Sequence, residues 1–261
     1  MVGGVWSRAA ERLGGRSAGR SIPAILNSIQ RSMASSTPFY APLYLPHTAL
    51  LLSDVQTQIL ARFPKETQEA YLGEIQNLLS FFRVGIARHR SASKSSLFMN
   101  EVPLIIHHTL PFNLNSNAFI SPYNKLAKWV AQLEAKGFFG SAPSDPHTPN
   151  YAIPAVLAPP SGWGSKDEIV LPKVQPSCFG SSDLLSYLRA RGIKHVVLVG
   201  LTTMGSILGT ARAGADLDFH IICVKEGIID DEKEVNDFLI ERVLPKFVDV
   251  VSMEDVLALS R

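Results

Sequence analysis

Cysteine is scarce in this chain: among 261 residues only Cys178 and Cys223 carry a thiol. Two thiols cannot build a disulfide scaffold and are too few for a Cys-rich zinc site, so a reducing compartment is the simplest setting. Long apolar runs are missing as well. The most conspicuous uncharged stretch, residues 196–211, is shorter than the ~20 apolar residues of a spanning helix and is broken by Thr, Ser and Gly. No membrane span is expected. A basic excess is absent from the body of the chain. Residues 1–35 hold Arg8, Arg12, Arg16, Arg20 and Arg31 against Glu11, which leaves 20 basic and 22 acidic residues elsewhere. That balance excludes the electrostatic footprint of a nucleic-acid binder. No internal repeat is visible, and 46% hydrophobic with 18% charged residues is ordinary globular composition, unlike disorder, collagen or coiled coil.

What is present begins with that arginine-bearing segment. Four arginines spaced four apart share one helical face, and an Arg- and Ser-rich, acid-poor composition has the character of an organelle import peptide or of a solvated tail. Residues 1–40 are therefore set apart from a domain over 41–261, with mitochondrial or cytoplasmic localisation expected. Secretion is disfavoured because no apolar central run leads to a small-residue cleavage site.

From Thr48 onward short apolar runs alternate with helical stretches, the order that yields a parallel sheet covered on both faces. Strands are expected at 49–53, 102–106, 168–171, 195–199, 219–224 and 248–251. Helices are expected where Tyr71, Ile75, Leu78, Phe82 and Ile86 recur at three- or four-residue steps, from a Ser121 cap and Pro122 to about 136, and over 182–191, 206–216 and 231–244. The proline-rich stretch 138–167 reads as a long loop serving a site.

Ligands of open α/β sheets bind beyond the carboxyl ends of the strands. Three segments stand there: Ser53-Asp54-Val55-Gln56, Leu171-Pro172-Lys173, and Gly200-Leu201-Thr202-Thr203-Met204-Gly205-Ser206. A carboxylate to take a proton, an ammonium to favour negative charge and a hydroxyl at a helix start suit nucleophilic catalysis. The structural readings are a capping or turn role for Asp54 and Ser206 and a surface ammonium for Lys173. Gly200 to Ser206 has the outline of a phosphate loop without its lysine, and its glycines do not fit a dinucleotide fingerprint.

In their order and spacing, Asp54-Val55-Gln56, Lys173 followed by Ser177-Cys178-Phe179, and Gly200 to Ser206 followed by Thr210-Ala211 resemble the isochorismatase-like cysteine hydrolases over roughly residues 46–255. The resemblance implies a three-layer α/β/α, Rossmann-like fold with a six-stranded, mainly parallel sheet. It also implies a hydrolase acting on a small planar amide or vinyl ether. Asp54 and Lys173 match the family's acid and lysine, and Ser206 falls where the family has its nucleophilic cysteine. The family's cis peptide falls on Leu201-Thr202. Gln56, His107, Trp163, Cys178, Phe179, Leu201 and Thr202 are the expected substrate-binding residues, with Asn124, Trp129 and His108 as further candidates. Adjacent histidines in a strand face opposite ways, so at most one of His107 and His108 is expected in the pocket. No metal and no cofactor are expected; the partners implied are a small-molecule substrate and further copies of the chain, with no nucleic acid and no membrane.

A serine hydroxyl holds its proton far more tightly than a thiol of pKa ~8.5. Three readings therefore stay open: Ser206 is a nucleophile served by Asp54 and Lys173, Cys178 substitutes for it, or the site belongs to a catalytically silent binding or assembly protein.

Overall fold

The computed structural model describes residues 38–92, 101–110, 120–135, 152–160 and 164–260. The expected import or tail segment lies outside them, except for its last residues. Residues 41–261 form one compact unit.

Six parallel strands make one sheet in the order β3-β2-β1-β4-β5-β6. They are β1 Thr48–Ser53, β2 Leu104–Thr109, β3 Glu168–Pro172, β4 His195–Leu201, β5 His220–Ile229 and β6 Asp249–Val251. The helices are α1 Thr57–Leu60, α2 Lys65–Ala92, α3 Lys125–Ala135, α4 Leu184–Ala190, α5 Leu208–Asp216, α6 Lys233–Phe238 and α7 Met253–Leu257. Every residue of β1, β2 and β4 is buried, which is why their sequences read as apolar runs instead of alternating. One face of the sheet packs Ala49, Leu51, Leu104, Ile106, Val196 and Leu198 against Leu184 and Leu188 of α4 and Ala211 of α5. Helix α2 turns Tyr71, Ile75, Leu78, Leu79 and Phe82 inward as a single stripe and packs against β2 and β5. Each such side chain, fully buried, contributes about 1.5–3 kcal/mol.

The strand order reverses direction between β1 and β4, opening a crevice at their carboxyl ends. There Gly200 has φ of 141°, and a Cβ on it would stand 2.0 Å from the Ser53 carbonyl oxygen. Only glycine lets β4 run this close to β1 just before the chain turns toward Ser206.

Several elements differ from the sequence expectation, for local reasons. Pro103 lacks an N–H for the ladder, and β2 starts at Leu104 and runs on through both histidines. The first turn of α3 is capped by Asn124, whose Oδ1 accepts from the Leu126 N–H at 3.0 Å, so the helix begins after Ser121 and Pro122. The charged pair Lys225-Glu226 resembles the end of a strand. Instead β5 bulges over this pair and rejoins β4, pairing Gly200 with Ile228 and Leu201 with Ile229. The last predicted helix breaks into α6, a wide turn over Leu239–Val243 and a 3-10 turn carrying Pro245.

Candidate active site

Three strand ends supply the polar groups. Asp54 follows β1 with φ of 58°, a left-handed conformation that Asp tolerates, and its N–H donates to the His108 carbonyl at 2.9 Å. Lys173 follows β3 and is buried. Its ammonium donates to Asp54 Oδ2 at 2.7 Å, to the Gln175 carbonyl at 3.1 Å and to the Pro176 carbonyl at 3.0 Å, which uses all three of its donors. Ser206 lies in the wide turn Thr203–Ile207 that links β4 to α5, just after the cis peptide Leu201-Thr202. Its hydroxyl donates to the Pro176 carbonyl at 2.8 Å and stands 2.5 Å from the Ser53 hydroxyl.

Asp54 Oδ1 is buried and has no hydrogen-bond partner among the described residues. Burial is the largest influence on this carboxyl and pushes its pKa above the usual carboxylate value, against the opposing pull of the Lys173 ammonium. The Ser206 hydroxyl adds a smaller downward pull, near enough to act on the carboxyl without bonding to Oδ1. A site with an unpaired buried acceptor next to a hydroxyl is prepared to receive a proton.

Asp54 and Ser206 open onto a cavity of about 360 Å³, the size of a small-molecule site. Ile59, Leu126, Trp129 and Leu201 give it apolar walls, Thr202 and Gly205 edge it, and Arg62, Asp230, Asp231 and Glu232 bring charge to it. Arg62 is already engaged, paired with Asp231 and lying over the Trp129 ring at 5.5 Å. Asp230 accepts from the Met204 N–H at 2.8 Å, which ties β5 to the turn that carries Ser206.

Of the expected pocket residues, Leu201 and Thr202 line this cavity, as does Trp129, whereas Trp163 lies outside the described residues. Four others are placed elsewhere. Gln56 bonds the Leu110 backbone in both directions, at 2.9 and 2.7 Å. His107 turns to the opposite face and pairs with Glu168, itself gripped by Arg83. Phe179 stacks on Phe219. Cys178 is wholly buried in the apolar cluster, and burial raises its thiol pKa, so the reading in which it substitutes as nucleophile is withdrawn. His108 is no pocket residue either: it stands 3.3 Å from the Ser182 hydroxyl, and burial and Lys173 pull its pKa down to about 3. Asn124 caps α3 and reaches Gln175 at 3.3 Å. Among the described residues no group of three or more His, Cys, Asp or Glu is arranged to hold a metal.

The sequence reading missed Ser53, Arg62 and the carboxylates 230–232. The acidic run does obey the strand-end rule, but only once β5 is known to continue to Ile229.

Residues 48–255 match the profile of the isochorismatase domain. The chain belongs to the isochorismatase family. Curated family relatives include the maleamate amidohydrolase of Pseudomonas putida, 30% identical over 109 residues, covering 42% of this chain and 49% of that protein. The ureidoacrylate amidohydrolase RutB of Azorhizobium caulinodans is 36% identical over 111 residues, 42% of each chain. The chain thus spans about half the length of the curated relatives it matches. Among solved structures, an isochorismatase family protein from Burkholderia thailandensis superposes with a TM-score of 0.60 at 20% identity, over 85% of this chain and 98% of that one. A cysteine hydrolase from Pseudomonas syringae does so with 0.60 at 18% identity, over 86% and 97%. These likenesses establish the isochorismatase-like α/β fold.

Proposed function

We propose that this isochorismatase-family protein is an amidohydrolase in which Ser206 is the nucleophile, Asp54 the general base and acid, and Lys173 the charge that holds Asp54 in place. The observation that carries the reading is the buried, unpaired Oδ1 of Asp54, a residue that lines one small cavity together with Ser206. Rotation of the Ser206 O–H from the Pro176 carbonyl to Asp54 Oδ1 lets the proton pass to the carboxylate as the oxygen attacks an amide carbon. The carbonyl π pair moves to its oxygen as the tetrahedral intermediate forms. Collapse breaks the C–N bond, the amine leaves with the proton from Asp54, and water, deprotonated by Asp54, hydrolyses the Ser206 ester.

An amide fits better than a vinyl ether, because acyl transfer to a hydroxyl is chemistry that this set performs and because the relatives of known activity are amidohydrolases. With Asp54 paired to Lys173, Arg62 stands alone among the cavity-lining residues against Asp230, Asp231 and Glu232, which leaves an excess of negative charge there. Its field favours a neutral or cationic planar amide over an anionic one.

Turnover of benzamide, 4-(aminomethyl)benzamide and 4-carboxybenzamide by native protein, Asp54→Asn and Ser206→Ala tests both statements. The expected result is kcat/KM reduced by at least ~10³-fold in each variant and the anionic amide ranked last. Rates unchanged in Asp54→Asn would remove the assigned roles. A native protein without turnover would return the silent-module reading, which the amidohydrolase relatives do not support.

A further inference from the structure

The proton inventory around Ser206 assigns a role to a residue outside the acid, lysine and nucleophile set. A carbonyl oxygen has no proton to give, so the 2.8 Å contact with Pro176 consumes the single proton of the Ser206 hydroxyl. The 2.5 Å contact between Ser206 Oγ and Ser53 Oγ must then be made with the proton of Ser53. That leaves the Ser53 oxygen as acceptor toward the Cys178 thiol at 3.2 Å. Donation therefore runs one way, from Cys178 to Ser53 to Ser206. Ser53 is fully buried at the last position of β1, opposite Gly200, so neither water nor a loop competes for its hydroxyl. Burial keeps the Cys178 thiol protonated and thus available as the far donor.

We propose that Ser53 is a catalytic hydrogen-bond donor to the nucleophile, stabilising the negative charge that develops on Ser206 Oγ as its proton leaves for Asp54 Oδ1. The inference rests on the reading of Ser206 as nucleophile. A hydrogen bond to a charged oxygen is roughly twice as strong as one to a neutral oxygen, so the bond favours the ionising state over the resting hydroxyl. It supplies what serine lacks at a position where the family has cysteine, because a thiolate forms without such help.

The full-length protein is labelled with a fluorophosphonate, and the rate of adduct formation is followed by intact mass. In this reaction the Ser206 O–P bond forms, the P–F bond breaks, fluoride leaves and the proton goes to Asp54. Native protein is expected to label and Ser206→Ala to remain unlabelled. Ser53→Ala is expected to label about 10- to 100-fold more slowly, the cost of losing one hydrogen bond to a charged oxygen. The companion measurement compares Ser206→Cys with Ser53→Ala/Ser206→Cys toward iodoacetamide, where a change below about threefold is expected because the thiolate needs no donor. A Ser53→Ala protein that labels at the native rate would overturn the role of Ser53 and leave Ser206 as nucleophile. Equal slowing in the serine and cysteine backgrounds would overturn it in favour of a packing role. No labelling of native protein would remove the nucleophile itself.

Discussion

At the scale of single residues the site depends on one charge pair that neither partner could sustain alone. Lys173 and Asp54 are both buried and stand 2.7 Å apart, and the ammonium is satisfied only because two carbonyls complete its set of acceptors. Removing one member of such a pair typically costs ~3–5 kcal/mol, since the other is left as an uncompensated buried charge. Lys173→Met is therefore expected to lose about that much in urea unfolding at pH 7, and Asp54→Asn/Lys173→Met to recover a large part of it. The pH dependence has a definite sign. Without the ammonium, burial holds the Asp54 carboxyl still further above its unfolded value, so the folded state binds more protons than the unfolded one, and stability rises as pH falls. The deficit of Lys173→Met should thus shrink on acidification. A deficit that is constant with pH and persists in the double variant would mean that the pair is not what stabilises these strand ends.

At the scale of elements, the meeting of β1 and β4 governs whether Ser53 and Ser206 can touch. Gly200→Ala places a Cβ against the Ser53 carbonyl in a backbone region that L-residues avoid, and a loss of more than ~3 kcal/mol, or failure to fold, is expected. Gly73 in the middle of α2 is the control: a Cβ there meets nothing within 4 Å, and Gly73→Ala should stabilise by about 0.5–1 kcal/mol. Chemical denaturation of the two variants checks both signs. The same elements explain what could be read in advance. β1 and β4 are buried on both faces, so apolar runs alone located them and put Asp54 and Ser206 at their ends. β5 was expected at 219–224, but its continuation to Ile229 escaped because a bulge lets Lys225 and Glu226 reach solvent in mid-strand, which is indistinguishable in sequence from a strand end and which hid the carboxylates 230–232. Alternation in β2 separated His107 from His108, but partners from distant segments keep both out of the pocket: Glu168 claims His107 and Ser182 claims His108. Ser53 was invisible as a functional residue because its partner hydroxyl is 153 positions away.

At the scale of the whole molecule, the sheet has a second polar end, opposite the cavity, where protons act on stability instead of chemistry. His195 at the start of β4 meets His220 of β5 through their Nδ1 atoms at 2.9 Å, and His220 continues to Asp249 of β6 at 2.8 Å. Burial, and then the neighbouring His220, His47 and Lys194, depress the His195 pKa to about 4. A histidine depressed in the fold binds its proton more readily when unfolded, so its stabilisation is complete above pH ~6.5 and is lost as pH falls toward 4. His108 contributes the same sign, whereas Asp54 contributes the opposite one, so the native curve alone does not isolate His195. Its difference from His195→Asn does. Native protein should lose ~1.4 kcal/mol per pH unit relative to the variant between about pH 6 and 4.5. Below that window Asp167 and Glu168 steepen the fall in both proteins. Burial alone would raise these carboxyls, but Arg90 and Arg191 hold Asp167 below its ordinary value, and His107 and Arg83 do the same for Glu168. Unfolding free energies measured across this range that run parallel for native and His195→Asn would show that the histidine contact between β4 and β5 carries no proton linkage.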